Sequence, residues 1–472
     1  MMIRFASQCL FWLCLVACQS FAVDNPRLYS GVIQIPSLGD MAMTLGISDT
    51  DEGTVLLLTV PIQGAKNVPM STSFTQEGAI RAGIPQADLV FVVAENPDKT
   101  MLRGKMEQGG MTLTIEFSRV DKIATLNRPQ TPREPFPYTS REVTSLHPEG
   151  HLLAGTLTIP DGEGPFPCAV LISGSGQQDR DESLLGHKPF LILADDLSRN
   201  GIAVLRFDDR GVGGSIMKTP DDVLGDTSAD FATDVAVMVH AARMHPEIDA
   251  KRVGVIGHSE GGLIGPLVAV NDDALDFVVM LAGPGVPGYE LLPVQQSMIL
   301  KTNGVSQELI DTIVDTSMNL YDMLREGASD EELKNQLIKL VQHQFEAMQL
   351  TISEELMAEA VESGFTEMTL PWMKYFLSHD PALVLAKVNC PVLAINGSLD
   401  VQVSSKQNLP AIERAMRAVG GNITIIELEG LNHLFQRATS GAVSEYASIE
   451  TTIDPVALEV VREWVLEITD ND

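Results

Sequence analysis

Ser259, Asp400 and His433 are the residues whose types, order and settings suit nucleophilic catalysis. A serine hydroxyl is a weak nucleophile until a base takes its proton, and the base needs an acid to orient it. Ser259 is the centre of Gly257-His258-Ser259-Glu260-Gly261, a G-x-S-x-G run. Val253, Val255 and Ile256 precede it as a short apolar β-branched run, and Leu263, Ile264, Leu267 and Val268 follow at helical spacing. Strand, sharp turn and helix in that order make a nucleophile elbow. Glycine on both sides allows the strained angles and close strand–helix approach that such a turn requires. The first N–H groups of the helix are free and point back at the serine, which suits a developing oxyanion. The five-residue pattern alone is weak; the buried strand and apolar helix around it give it weight.

The partners follow in chain order. Asp400 ends Ile395-Asn396-Gly397-Ser398-Leu399-Asp400, directly after an apolar run at Val392–Asn396. His433 lies in Gly430-Leu431-Asn432-His433-Leu434-Phe435, after the next apolar run. Both therefore fall at the carboxyl ends of predicted strands, where sites collect in parallel sheets. Asp400 as a turn or N-cap carboxylate and His433 as a buried structural imidazole are the plainer alternatives. His258 is a rival base by type, but it stands beside the serine and is expected to point away, as a packing or hydrogen-bonding residue. An oxyanion hole needs two N–H groups aimed at one point. Glu260 supplies one candidate. Ser175, in the glycine-rich Ser173-Gly174-Ser175-Gly176 that follows the run at Cys168–Ser173, supplies the other, in preference to Gly176. An ordinary glycine turn remains the alternative there. Arg210 and the run Asp179-Arg180-Asp181-Glu182 either contact substrate or brace these loops, and bracing is preferred.

The elements around these residues change character along the chain. Residues 24–120 read as short alternating runs broken by Gly, Pro, Asp and Asn (Gly31–Ile35, Met41–Ile47, Thr54–Val60, Leu89–Ala94, Met101–Met106, Met111–Phe117), a small all-β domain. Four prolines among polar residues make 121–140 an extended linker. From 141 to 472, after an opening hairpin (Glu142–Leu146, Leu152–Ile159), apolar strands alternate with helical patterns, which means a mostly parallel sheet covered on both faces. The alternation pauses at about 287–387. That block is helical throughout and reads as a cap over the catalytic face.

The formal net charge of −31, spread thinly and without a basic cluster, argues against nucleic acid and anionic membrane surfaces as partners. The first 22 residues read as a secretory signal peptide, with Arg4, an apolar stretch and small residues before the cleavage point. Leu15-Val16-Ala17-Cys18 competes as a lipobox, which would end the leader at residue 17 and attach the chain to a membrane through lipidated Cys18. Either reading predicts an exported protein, periplasmic or extracellular. Three of the five cysteines fall in this leader, and the distant pair Cys168 and Cys390 is expected to be two small buried thiols.

Beyond the single motifs, Gly174–Glu182, Gly186–Ser215, Val255–Ala269, Pro371–Pro381 and Pro391–Val403 resemble the secreted bacterial two-domain esterases of the EstD type, which are serine aminopeptidase-like α/β-hydrolases. The likeness extends into the first domain, at Gln63–Pro69 and Leu102–Ile115. It implies an α/β-hydrolase fold with a helical cap, Ser259, Asp400 and His433 as the triad, and carboxylesterase activity on short acyl chains. It also implies no metal or other cofactor for that activity, and disfavours a bridge between Cys168 and Cys390. The expected reaction is hydrolysis of a small-molecule ester through an acyl-enzyme. A serine peptidase with the same triad is the nearest alternative, and a silent envelope-binding module a distant one. The natural substrate, the role of the first domain and the oligomeric state are not legible.

Overall fold

The computed structural model describes residues 25–35, 39–50, 53–108, 111–123, 125–219, 224–350 and 352–470. The predicted leader and Cys18 lie outside them. The chain divides into two compact units, one running to Arg128 and taking in Leu184–Gly186 and Val443–Glu450, the other comprising the rest.

The first unit is a closed antiparallel barrel of β1 (Arg27–Ile35), β2 (Gly39–Thr50), β3 (Gly53–Val60), β4 (Ala65–Phe74), β5 (Ile80–Ile84), β6 (Leu89–Glu95), β7 (Met101–Gln108) and β8 (Met111–Val120). β1 closes on β8 with Leu28 opposite Val120. Alternate side chains point inward, and Met43, Leu45, Leu58, Phe91, Leu102 and Phe117 fill the interior. Eight strands enclose a space that side chains alone can fill. The sequence reading finds six of these strands. It misses β4 because polar Ser and Thr residues and Pro69 mask the alternation, although Ala65, Val68 and Met70 are buried, and β5 because its five residues include Arg81 and Gly83 and are too few to show a period.

The second unit holds an eight-stranded sheet. Its strands are β9 (Tyr138–Leu146), β10 (Leu152–Pro160), β11 (Phe166–Ile172), β12 (Ala203–Phe207), β13 (Ile248–His258), β14 (Val278–Leu281), β15 (Val392–Gly397) and β16 (Ile423–Leu428). The order is β16-β15-β14-β13-β11-β12-β10-β9. Only β9 and β10 run antiparallel to their neighbours. β9 begins at Tyr138, so the end of the proline-rich segment is already strand. Both faces are covered, as strand alternation shows: Val170 and Ile172 enter one apolar cluster, Ala169 and Leu171 the opposite one. Helices α1 (Pro189–Arg199), α2 (Ser228–Arg243), α3 (Glu260–Ala269), α10 (Ser405–Ala418) and α11 (Pro455–Asp470) connect or flank the strands. Thr227 and Asp230 close a capping box at the start of α2.

Between β14 and β15 stand α4 (Gly288–Thr302), α5 (Gln307–Glu326), α6 (Asp330–Ala347), α7 (Glu354–Thr369), α8 (Pro371–Ser378) and α9 (Pro381–Leu385). Caps set their boundaries: the Ser306, Ser329 and Ser353 hydroxyls accept from the first turns of α5, α6 and α7, and Pro371 opens α8. Among the described residues no helix is long and apolar enough to cross a membrane.

Candidate active site

Ser259 sits between the last residue of β13 and the first of α3, with φ 55° and ψ −118°. A non-glycine residue in that region is strained, and the surroundings must hold it there. The Ser259 N–H donates to Leu281 O at 2.8 Å, and the Gly262 N–H donates to Ser259 O at 2.9 Å. The glycines are steric necessities: a Cβ on Gly257 would stand 2.0 Å from Gly261 O, and one on Gly261 2.2 Å from Ile172 O.

Asp400 and His433 occupy the loops after β15 and β16, at the same edge of the sheet. Asp400 Oδ1 accepts the N–H groups of Gln402 and Val403, both at 2.8 Å, and Oδ2 lies 2.8 Å from His433 Nδ1. Both side chains are buried. The carboxylate only accepts, so the imidazole carries its proton on Nδ1 and keeps a lone pair on Nε2. Asn432 fixes the histidine loop by accepting the N–H groups of Leu434 and Gln436. The His433 ring lies 4.8 Å from that of His258, the neighbour of Ser259.

In the loop after β11, the Gly174 N–H is taken by Glu182 Oε1 at 2.9 Å, which removes it as an oxyanion donor. The next N–H is that of Ser175, before Gly176 at φ 100°. The Glu260 N–H is at the start of α3, where no preceding turn supplies an acceptor.

His258 is the hydrogen-bonding residue expected of it, but its partners are not legible in the sequence. Its Nδ1 lies 2.9 Å from Glu182 Oε1 and its Nε2 3.0 Å from His433 O. Both partners are acceptors, so both contacts are satisfied together only by the imidazolium. Burial opposes that charge, yet Glu182 outweighs it and holds the His258 pKa above its ordinary value. One carboxylate thus ties the Gly174 loop to the backbone of His433.

Glu260 is a second residue whose side-chain role the sequence conceals: it is buried and accepts from Ser228 Oγ and from Trp372 Nε1 of α8, both at 2.6 Å on Oε1. Asp209 is a third. It accepts from Ser173 Oγ (2.6 Å) and the Gln178 N–H (2.8 Å), and burial pushes its pKa up to about 7. Nothing local in the sequence separates these carboxylates from surface acids, since their partners lie tens of residues away.

The charged run braces loops. Arg180 pairs with Asp208 and Glu142, Asp181 with Arg206 and Lys188, and Arg210 with Asp226 and Asp234. Cys168 and Cys390 are free; Cys168 is buried as expected, but Cys390 is only half-buried.

A family model described as serine aminopeptidase, S33, matches residues 189–437, just over half of the chain. The chain belongs to that family, and its fold is that of an α/β-hydrolase preceded by an all-β barrel. It is 25% identical over 377 residues to Esterase EstD of Thermotoga maritima, covering 77% of this chain and 78% of that one. Solved structures similar to it include a hypothetical protein from Pseudomonas aeruginosa (16% identity, 74% of this chain and 99% of that chain, TM-score 0.43). An esterase of Pyrococcus furiosus is similar at 15% identity, covering 74% of this chain and 98% of that one, with a TM-score of 0.41.

Proposed function

We propose that this protein is a serine carboxylesterase acting on small acyl esters through an acyl-enzyme. The observation that carries the reading is the strained Ser259 elbow beside a buried, hydrogen-bonded Asp400–His433 pair at the same sheet edge. In this mechanism Ser259 Oγ attacks the ester carbonyl and His433 Nε2 takes its proton. The proton then passes to the leaving alcohol, and a water repeats the sequence to release the acid. Asp400 holds the tautomer and stabilises the imidazolium. The Ser175 and Glu260 N–H groups receive the oxyanion, and Glu260 has the stronger claim because helix α3 begins there. The similarity to Esterase EstD supports ester over amide chemistry.

Labelling of the purified protein by a small fluorophosphonate, lost in Ser259→Ala, tests the mechanism. Near-normal ester hydrolysis by Ser259→Ala would sink it. A peptidase using the same residues is the second reading, favoured by the description of the family itself. Parallel panels of chromogenic esters and aminoacyl anilides separate the two.

Export is proposed on the sequence of the leader alone. A mature N-terminus at Val23 would support an ordinary signal peptide. Fatty-acid labelling that disappears in Cys18→Ser would support a lipoprotein.

A further inference from the structure

Glu182 is held in place at a cost. Its backbone lies in the left-handed region at φ 53°, where a non-glycine residue is strained. The side chain is buried, and Oε2 has no hydrogen-bond partner among the described residues. Oε1 by contrast accepts twice, from the Gly174 N–H and from His258 Nδ1, both at 2.9 Å. The loop is folded to present it: the Glu182 N–H donates to Asp179 O at 2.9 Å, and Asp179 Oδ1 accepts the N–H groups of Asp181 and Ser183 at 3.1 and 3.0 Å. Apolar residues in place of a buried ion pair are often as stable, so stability alone does not account for Glu182 and His258.

The two contacts of Oε1 lead to the two loops that flank Ser259. Gly174 lies against the serine, since a Cβ on it would stand 3.2 Å from Ser259 Cβ, and the next N–H is that of Ser175. In the other direction the His258 ring is 4.8 Å from the His433 ring, and its Nε2 donates to His433 O at 3.0 Å. Asp400 holds the His433 imidazole through Nδ1, and His258 holds the backbone from which that side chain projects.

This double link requires the His258 imidazolium. A neutral imidazole has one N–H and one lone pair, so one of its two acceptors is then faced by a lone pair and repelled. The groups that face the ring are Glu182, from the loop after β11, and Asp400 and His433, from the loops after β15 and β16. Burial opposes the charge, but Glu182, then the His433 carbonyl and Asp400, favour it and together hold the pKa above its ordinary value.

We propose that Glu182 and protonated His258 are positioning residues for the ester hydrolysis proposed above. One carboxylate oxygen sets the oxyanion loop through Gly174 and, through His258, the backbone of the histidine that takes the serine proton. The inference rests on that reading of Ser259, Asp400 and His433; Glu182 and His258 act only through other groups. Loss of the His258 proton releases one end of the link, so turnover falls on the alkaline side as His258 deprotonates. A displacement of about 1 Å at such a site costs about 10²-fold in rate.

The pH profiles of kcat and KM for a chromogenic ester test the link, with fluorophosphonate labelling, lost in Ser259→Ala, as the control on the underlying reading. Glu182→Gln keeps an acceptor for the Gly174 N–H and removes the charge that holds the proton on His258. Its alkaline limb should move to lower pH, and above neutral pH its kcat should be about 10²-fold lower with KM nearly unchanged. In His258→Gln the amide N–H replaces Nε2–H toward His433 O at every pH, so the alkaline limb should disappear and most of kcat should survive. His258→Leu has no donor and should lose about 10²-fold. All rates are taken per folded molecule below the melting temperature. NMR of the histidine side chains in the unaltered chain depends on no variant folding: a ring protonated on both nitrogens near neutral pH, its signal absent from His258→Gln, is expected. A neutral His258 at that pH overturns the proposal, as does a His258→Gln no faster than His258→Leu. Labelling lost in Ser259→Ala, together with a kcat profile unchanged in Glu182→Gln, overturns the positioning pair and leaves the serine mechanism standing. Ester hydrolysis undiminished in Ser259→Ala removes the mechanism itself.

Discussion

The barrel and the hydrolase unit bury different things. Among the described residues of the barrel strands, the buried polar side chains are Thr44, Ser48, Thr59 and Gln108, all neutral. The hydrolase unit buries Glu182, Asp208, Arg210, Asp234, Glu260 and Asp400, with His258 and His433 among them. Burying a charge is expensive unless it is paired and hydrogen-bonded, and apolar replacement is often as stable. A unit that needs only to fold has no reason to keep such groups. Asp208, Arg210 and Asp234 are held in loop-bracing ion pairs, whereas Glu182, Glu260, Asp400 and the two histidines gather at the carboxyl ends of the strands around Ser259, the setting in which perturbed groups suit chemistry.

The largest effect that sharpens this contrast is chemical. Asp400→Asn preserves the shape of the carboxylate but presents His433 with the wrong tautomer, and turnover of a chromogenic ester should fall by about 10⁴. Because Asn Oδ1 still accepts the Gln402 and Val403 N–H groups, the melting temperature should move far less than the rate. A loss of activity that only follows loss of fold would dissolve the distinction between a reacting charge and a structural one.

The opposite result is expected in the barrel. Leu58 is fully buried in the barrel interior, and Leu58→Ala should destabilise that unit by about 2–5 kcal/mol through lost transfer energy and a residual cavity. Turnover per folded molecule, measured well below the melting temperature, should stay close to that of the unaltered chain. A tenfold fall in kcat with the fold intact would show that the barrel contributes to chemistry.

Asp209, half-buried but with its carboxyl enclosed by Ser173 and Gln178, tests the cost of desolvating an acid directly. Its folded pKa is raised by burial to about 7, above the unfolded value of about 3.9. The protonated form is therefore the one that folding favours. Its contribution is fully present below the unfolded pKa and is lost as pH rises through about 7, at roughly 1.4 kcal/mol per pH unit between the two values. Asp209→Asn should flatten this component, so that the difference in stability between the two proteins grows in favour of the variant from pH 4 to pH 8. Denaturant melts across that range decide the matter, and a constant difference would mean that Asp209 is not protonated on folding.

What is legible in the sequence follows the range of the interactions. Strand Val253–Ile256, the elbow and helix α3 are contiguous, and their geometry is dictated by Gly257, Gly261 and local apolar periodicity. Asp400 and His433 are remote from Ser259, yet both directly follow apolar strands, so strand order alone brings them to one edge. β4 is hidden because its inward residues, Ala65, Val68 and Met70, are separated by polar ones and Pro69. Glu182, Asp209 and the Glu260 side chain are not separable from surface acids, because their partners, His258, Ser173 and Trp372, are brought to them only by folding.

The smallest effect concerns the block of helices between β14 and β15. Trp372 of α8 donates its indole N–H to Glu260 Oε1 at 2.6 Å, on the oxygen that also accepts from Ser228, and its ring stacks on Phe376 with centroids 5.4 Å apart. Trp372→Phe keeps an aromatic ring for the stack while removing the indole N–H donor together with the outer part of the ring system. A hydrogen bond to a charged group contributes about 1.5–3 kcal/mol, and Ser228 Oγ remains to satisfy the carboxylate, so the loss of stability should lie at the low end of that range. The Glu260 N–H is a backbone group at the start of α3 and is unaffected by the substitution. If the helical block selects substrate without sharing in the chemistry, labelling by a small fluorophosphonate should keep its rate while KM rises for esters with longer acyl chains. In the barrel, by contrast, an equally conservative change such as Phe91→Leu should alter stability alone. If labelling by the small probe falls together with ester turnover in Trp372→Phe, the Trp372–Glu260 bond positions the elbow itself, and the block belongs to the catalytic apparatus.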